Sequence, residues 1–342
     1  MTGLGSAAVH LVHGLDHEAV APDWPPLEPG EVDRVLRQYE GVGELRELSW
    51  HSPRPFSAAA LAETTLDTLF VKRHHRSVRT MAALDEEHGF IGHLRGRGAT
   101  VPEVLTTANR ATSVADGEWT YEIHTRGPGF DLYREALSWS PFASTRHARA
   151  AGTALARLHR AAAGYAAPAR RTEVLVSSCT LLGTTDLAGA VGRLLGRRRD
   201  LARFLARRPW RRDIAQLLEP FHRRLVPHLG GLRPLWTHND WHASNLLWSD
   251  AGDRAEVSAV LDFGLADRTW AVYDLATALE RNAIDWLGIP SGCPEPVRFD
   301  HVAALLAGYE AAAPLSPSEA EALIALLPIV HLEFALSEIG YF

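Results

Sequence analysis

Apolar positions along the chain follow two regimes. In the first third they are short and strand-like, apart from two helical stretches. Val32, Val35, Leu36 and Tyr39 recur at helical spacing and predict a short amphipathic helix over Glu31 to Tyr39. Gly43 to Trp50, Thr68 to Lys72, Val101 to Leu105 and Trp119 to His124 read as strands, and Ala58 to Leu61 lies between turn-rich Ser52 to Ser57 and the second of them. Ser77 to Arg95 reads as a helix closed by Gly96 and Gly98. Beyond the turn Gly127-Pro128-Gly129 the period becomes helical. Thr145 is placed to cap a helix running to about Ala163, and Leu182 to Arg208, Ile214 to Leu229, Tyr273 to Trp286 and His301 to Ala312 follow. Ser316-Pro317-Ser318-Glu319 opens a last helix over Ser318 to Tyr341. Only Leu235 to Asp262 interrupts this half with strands and loops.

This order predicts an α+β chain of two lobes. A small N-terminal lobe (1–126) holds an antiparallel sheet, a helix and the leading helical segment. A larger, mainly helical lobe (127–342) follows, with the boundary near Arg126 to Asp131. The 342 residues and 46% hydrophobic content suffice for such a core. A formal charge of −6 gives no basic face for nucleic acid. Cys179 and Cys293 are too few for a disulfide framework and fit a reducing compartment. With no apolar run of ~18 residues and an N-terminus broken by acids, histidines and prolines, the expectation is a soluble cytoplasmic protein without a membrane partner. The apolar helical pattern runs up to Phe342, which leaves room for a C-terminal extension. Oligomeric state is open.

Lysine usage changes the picture. Of 35 basic residues one is lysine, Lys72, at the end of a predicted strand. A lysine retained in so arginine-rich a chain suits a place where a compact point charge serves and a planar fork does not. The densest polar cluster is His238-Asn239-Asp240-Trp241-His242-Ala243-Ser244-Asn245, followed by Leu246-Leu247-Trp248 and, 17 residues after Asn245, by Asp262-Phe263-Gly264. Two apolar strands flank the turn Ser249 to Arg254, so one hairpin can hold Asp240, Asn245 and Asp262 around one site. Phosphoryl transfer needs such a set. One carboxylate orients the attacking hydroxyl and takes its proton. An amide oxygen and a second carboxylate suit Mg²⁺, and a distant cation holds the triphosphate. Lys72 is that cation, fixed by Glu87 or Glu86 on the next helix.

In these motifs the chain resembles the aminoglycoside phosphotransferase and choline kinase-like enzymes, small-molecule relatives of the protein kinases. The resemblance covers nearly the whole chain. It rests on Lys72, on the helix from Glu87 to Leu94 with Gly98-Ala99-Thr100-Val101-Pro102, on Ala154 to His159, on His-x-Asp-x-His-x-x-Asn, on Leu261-Asp262-Phe263-Gly264, and on Val272-Tyr273-Asp274-Leu275-Ala276. It implies a bilobal protein-kinase-like fold and ATP or GTP as phosphate donor. It makes Asp240 the base, Asn245 and Asp262 the Mg²⁺ ligands, and Lys72 with Glu87 the holder of the α/β phosphates. It gives Tyr121, Glu122, Ile123 and His124 backbone contacts to the purine, and Ser57 or its neighbours' N–H groups the phosphate cover. His238 and His242 brace the catalytic loop, and Asp274 is the family's buried acid. Two positions depart from the family: Asn239 stands where glycine is usual, and Ser52 to Ala60 has no glycine-rich loop.

The acceptor is expected against the helices after Asp262, where Glu280, Asp285, Trp286, Glu333 and Glu338 suit a cationic hydroxyl compound. Antibiotics such as aminoglycosides or nucleosides (resistance or self-protection), amino sugars and amino alcohols all fit. Three readings compete. A protein kinase is opposed by the missing arginine before Asp240 and the absence of an activation-loop motif. A metal-dependent hydrolase would use His238, Asp240, His242 and Asp262. A pseudokinase is opposed by the intact Lys72, Asp240, Asn245 and Asp262.

Overall fold

The computed structural model describes residues 12–13, 19–54, 57–339 and 341. The chain divides into two compact units. The described residues of the first run up to His88 and from Glu103 to Arg126; the second holds Gly89–Pro102 and everything from Gly127.

The first unit opens with a two-residue pairing of β1 (Val12–His13) and β2 (Ala19–Val20), then α1 (Pro29–Leu36). Its main sheet is antiparallel, in the order β3 (Leu45–His51), β4 (Ala58–Thr64), β5 (Thr68–His75), β7 (Trp119–Thr125), β6 (Val114–Asp116). Successive side chains of a strand point to opposite faces. One face therefore carries Ala60, Ala62, Leu69, Val71, Tyr121 and Ile123, which form a core with Val32, Val35, Leu36 and Tyr39. Arg73 is buried on β5, reaches Glu31 of α1 at 2.7 Å and stacks on Trp119. The first turns of α2 (Met81–Gly96) belong to this unit.

Four differences from the periodicity have local causes. Val101 to Leu105 is not a strand: Pro102 interrupts it, and what remains is an isolated bridge between Val104 and His124. The α2 helix begins at Met81, four residues later than its pattern, with the Thr80 hydroxyl accepting from the Ala83 N–H at 3.2 Å. The division at 126/127 is incomplete, because residues 89–102 go with the second unit; Phe90 packs there on Tyr165, Trp236 and Phe263. The last helix is two, because Pro328 follows its first segment.

In the second unit α3 (Thr145–Ala162) is capped by Ser144, one residue before Thr145, whose hydroxyl accepts from His147. Next come α4 (Leu187–Arg197), α5 (Arg199–Leu205), the single turn α6 (Trp210–Asp213), a π-turn over Ile214–Leu218, and α7 (Glu219–Leu225). Two hairpins carry the site: β8 (Pro234–Thr237) pairs with β11 (Asp267–Trp270), and β9 (Leu246–Trp248) with β10 (Val257–Val260). Then α8 (Ala271–Ala283), α9 (Phe299–Ala312), α10 (Pro317–Leu326) and α11 (Leu332–Ile339) complete the unit. Helices α3 and α9 cross where Gly152 faces the backbone of Leu305 and Gly308 faces that of Arg149. Helix α8 is buried from Val272 to Ala283, polar residues included, so each of its polar side chains must find a partner inside. No helix among the described residues is long and apolar enough to cross a membrane.

Candidate active site

The loop from His238 to Asn245 leaves β8 and enters β9 under the control of buried groups. Asp274, fully buried on α8, accepts from the His238 N–H at 2.9 Å and the Asn239 N–H at 2.8 Å. Its Oδ2 also meets His159 Nε2 at 3.0 Å, and Tyr309 lies behind that histidine at 2.9 Å. Burial would raise Asp274, but His159 and the loop N–H groups hold its carboxyl below the usual range. His238 donates from Nε2 to the Leu261 carbonyl (2.8 Å) and accepts at Nδ1 from the Asp240 N–H (3.1 Å). Those partners fix the neutral tautomer, and burial lowers the ring's pKa. With both nitrogens engaged, His238 has no ligand atom for the metal of a hydrolase.

Asn239 sits at φ +60°, in the left-handed region that glycine enters without strain. Asparagine tolerates that conformation. Here its side chain is also satisfied: Oδ1 accepts from Thr237 at 2.7 Å, and Nδ2 donates to the carbonyls of Ser177 (3.0 Å) and Leu265 (3.2 Å).

Asp240, Asn245 and Asp262 come from adjoining ends of one hairpin. Asn245 Nδ2 donates to Asp240 Oδ2 at 3.1 Å and to its carbonyl at 3.0 Å, which directs the amide's Oδ1 away from these bonds. The Leu261 N–H donates to the Asn245 carbonyl at 2.8 Å, extending the β9–β10 ladder by one step, and Asp262 follows at φ +53°. Asp262 is exposed, and its Oδ1 accepts from the Gly264 N–H at 3.2 Å. The result is a carboxylate, an amide oxygen and a second carboxylate, a donor set of hard oxygens that fits Mg²⁺. His242 approaches Asp240 Oδ1 at 3.5 Å, with its Nδ1 2.9 Å from Ser244 Oγ.

Helix α8 adds groups that the motif does not contain. Arg281, fully buried, forms an ion pair with Asp240 and lies over the rings of Trp139 (5.2 Å) and Phe334 (4.9 Å). Burial lowers its pKa to about 9, which leaves it charged at neutral pH. Asn282 accepts from the Ala243 N–H at 3.1 Å and donates to the Trp241 carbonyl at 2.7 Å. The signal for both lay in α8 itself, a helix apolar all round except for residues that need buried partners.

The acceptor candidates separate. Glu280 is buried, 3.4 Å from His331 and 3.9 Å from Arg281. Glu338 is half-buried, and its burial raises its pKa. Trp286 is half-exposed and donates to the Glu280 carbonyl at 3.0 Å. Two candidates are engaged by nearby backbone. Glu333 accepts from Ser178 Oγ (2.5 Å) and from the N–H groups of Thr180 (3.0 Å), Leu181 (2.6 Å) and Leu182 (3.1 Å), so its carboxylate is spent on that turn. Asp285 closes its own turn by accepting from the Gly288 N–H at 3.0 Å.

In the first unit Lys72 is half-buried on β5, in register with Ala59 and Glu122. Of the two candidate glutamates on α2, Glu87 is buried and Glu86 half-buried. Ser57 lies half-buried in the bend before β4. The backbone of Tyr121 to His124 pairs with β5 along one edge. Along the other, Tyr121 pairs with Val114 and the Ile123 carbonyl accepts from Leu105 at 2.8 Å. A purine on those four residues would therefore share their backbone edge with the sheet. Tyr121 and Ile123 point into the α1-side core, while Glu122 is buried on the opposite face among His74, His88 and His124. Burial would raise Glu122, but the three rings hold it well below the usual carboxylate range.

Comparison with known proteins places this geometry. The model of the phosphotransferase enzyme family matches residues 55–315. A homoserine kinase of Methylobacterium nodulans is 30% identical over 258 residues, covering 73% of this chain and 67% of that one. The microcompartment-associated aminopropanol kinase superposes with a TM-score of 0.58 at 17% identity, covering 92% of this chain and 89% of that one. Amicoumacin kinase, solved with AMP-PNP, Ca²⁺ and its antibiotic, superposes with a TM-score of 0.54 at 14% identity, covering 90% and 86%. The fold is α+β and kinase-like, and the chain belongs to the phosphotransferase enzyme family.

Proposed function

We propose that this phosphotransferase moves the γ-phosphoryl group of ATP or GTP to the hydroxyl of a small amine-bearing acceptor, of the size of an amino alcohol or hydroxy amino acid. The observation that carries the reading is the bonded set Asp240–Asn245–Leu261, which gathers two carboxylates and an amide at adjoining ends of one hairpin. Asp240 aligns the acceptor hydroxyl and takes its proton as the O–P bond forms. Asn245 Oδ1 and Asp262 would hold Mg²⁺, which supplies charge neutralisation at the phosphates. Lys72 engages the α/β phosphates and Glu87 orients it. Ser57 and neighbouring N–H groups cover the phosphates, and the backbone of Tyr121 to His124 meets the purine. His238, His242, Asp274 and Asn282 keep the loop in place.

The acids around the site favour an ammonium-bearing acceptor. Glu280 and Glu338 supply negative charge, and Trp139, His331, Phe334 and Trp286 form an aromatic group beside Arg281. The homoserine kinase and aminopropanol kinase likenesses support a compact acceptor.

Labelled γ-phosphate offered with homoserine, aminopropanol, amino sugars, aminoglycosides and nucleoside antibiotics tests the acceptor class. Preference for a large antibiotic would overturn the compact-acceptor reading. Asp240→Asn should lose nearly all turnover while Mg²⁺-nucleotide still raises the melting temperature. Undiminished turnover would remove Asp240 from the role of base.

A further inference from the structure

The side chains of Glu122 and the three histidines around it take no part in the chemistry assigned above. Glu122 Oε2 lies 2.7 Å from His88 Nε2 and 2.9 Å from His124 Nε2, and its Oε1 lies 2.8 Å from His74 Nε2. Among the described residues, His88, Glu122 and His124 bring one ligand atom each to within 4.8 Å of one another. The four side chains come from three elements of the first unit: His74 from β5, His88 from α2, and Glu122 and His124 from β7. His74, His88 and Glu122 are buried, and His124 forms the half-buried edge.

We propose that His88, Glu122 and His124 form a Zn²⁺ site of two imidazoles and one carboxylate, with His74 holding the carboxylate's other oxygen from outside. Imidazole and carboxylate are zinc's ordinary nitrogen and oxygen donors, and a water at the half-buried His124 edge would complete the tetrahedron. Mg²⁺, which prefers oxygen ligands, is disfavoured here. The contacts of 2.7–2.9 Å are those of shared protons. With metal–ligand bonds of about 2.0–2.2 Å, the carboxylate–imidazole contacts would open by roughly half an ångström on binding. Side-chain rotation at the half-buried His124 edge can supply part of that. Bound zinc would tie α2 to β7 through His88, the neighbour of Glu87, with β5 joined through His74. Its task would be to hold the helix that carries Glu87 in register with the strand that carries Lys72.

The test uses the untagged full-length protein, stripped with a chelator and then titrated with Zn²⁺ against a chromogenic competitor and, separately, with Co²⁺. The expected result is one equivalent bound per chain, held with Mg²⁺ in excess, and the intense visible absorption of four-coordinate Co²⁺. Glu122→Gln and His124→Gln should each weaken binding by more than the roughly 10- to 100-fold that outer-sphere changes cost. No stoichiometric binding, a pale six-coordinate Co²⁺ spectrum, or wild-type affinity in both variants would each overturn the proposal. Should Glu122→Gln fail to fold, His124→Gln and the wild-type Co²⁺ spectrum still decide, because neither removes the buried carboxylate.

Discussion

The guanidinium of Arg281 pairs with the carboxylate of Asp240 from a helix that begins 31 residues further along the chain. It is buried between Trp139 and Phe334, so water cannot replace it as a counter-charge. Removing one partner of a fully buried pair costs roughly 3–5 kcal/mol, and the half-buried Asp240, which keeps Asn245, sets this as the upper end here. Arg281→Met is therefore expected to lower stability by up to that amount in denaturant titration and to cut kcat at least tenfold. Arg281→Lys keeps the charge but loses the planar fork, and should fall between Met and wild type. A Met variant of wild-type stability and turnover would show that the ion pair carries neither fold nor function.

Asn239 gives the second prediction. Asn239→Gly accepts the φ of +60° without strain but takes the amide donor from the Ser177 and Leu265 carbonyls, while the Thr237 hydroxyl keeps Thr269. Leaving buried polar groups unpaired costs about 1–3 kcal/mol. Asn239→Ala loses the same bonds and adds roughly 1–2 kcal/mol for the left-handed backbone. The order of thermal stability should be wild type, then Gly, then Ala. A Gly variant as stable as wild type would mean that the conformation alone matters here.

These two residues mark how far the chain could be read before its structure. The Asp240-to-Asp262 motif was legible because its members are close in sequence and fixed by one hairpin. The strand and helix regimes were legible because burial imposes periods of two and 3.6. Arg281 and Asn282 were not, since only the burial of α8 brings them to the loop, and sequence spacing says nothing of that. Yet α8 is apolar apart from Asp274, Thr277, Glu280, Arg281, Asn282 and the Tyr273 hydroxyl, and Asn282 is one of four asparagines in the chain. Glu333 shows the opposite failure. An acid on a late helix reads as a free charge, while in the fold it is consumed by the N–H groups of a turn more than 150 residues away.

Glu333 also sets a pH dependence. Burial raises its pKa to about 7 against the pull of four donors. The folded state thus binds this proton more tightly than the unfolded chain, whose value is 4.5. Its contribution is complete below pH 4.5 and is lost as pH rises to about 7. Stability should fall over that window by up to about 3 kcal/mol from this group. Glu333→Gln should flatten the decline, as read from denaturant midpoints at several pH values. An unchanged slope would assign the decline to other groups.

The crossing of α3 and α9 gives the last prediction. A Cβ built on Gly152 would lie 2.0 Å from the Leu305 carbonyl oxygen, and one on Gly308 would lie 2.0 Å from that of Arg149. In both cases the obstacle is backbone, which cannot rotate aside as a side chain can. Thr153 Oγ1 donates to the Gly308 carbonyl at 3.0 Å, so parting the helices also breaks a buried bond. Alanine normally gains about 1 kcal/mol over glycine within a helix. Here overpacking should reverse the sign, costing roughly 1–3 kcal/mol at each position. Because α9 also carries Tyr309, which meets His159 and through it Asp274, a parted crossing should loosen the catalytic loop as well. Gly152→Ala and Gly308→Ala should therefore lose turnover beyond what their folded fraction explains. The double variant should lose less stability than the sum, since one separation of the helices relieves both clashes. Full additivity would mean that the two contacts yield independently, and stabilisation by either alanine would exclude the close approach.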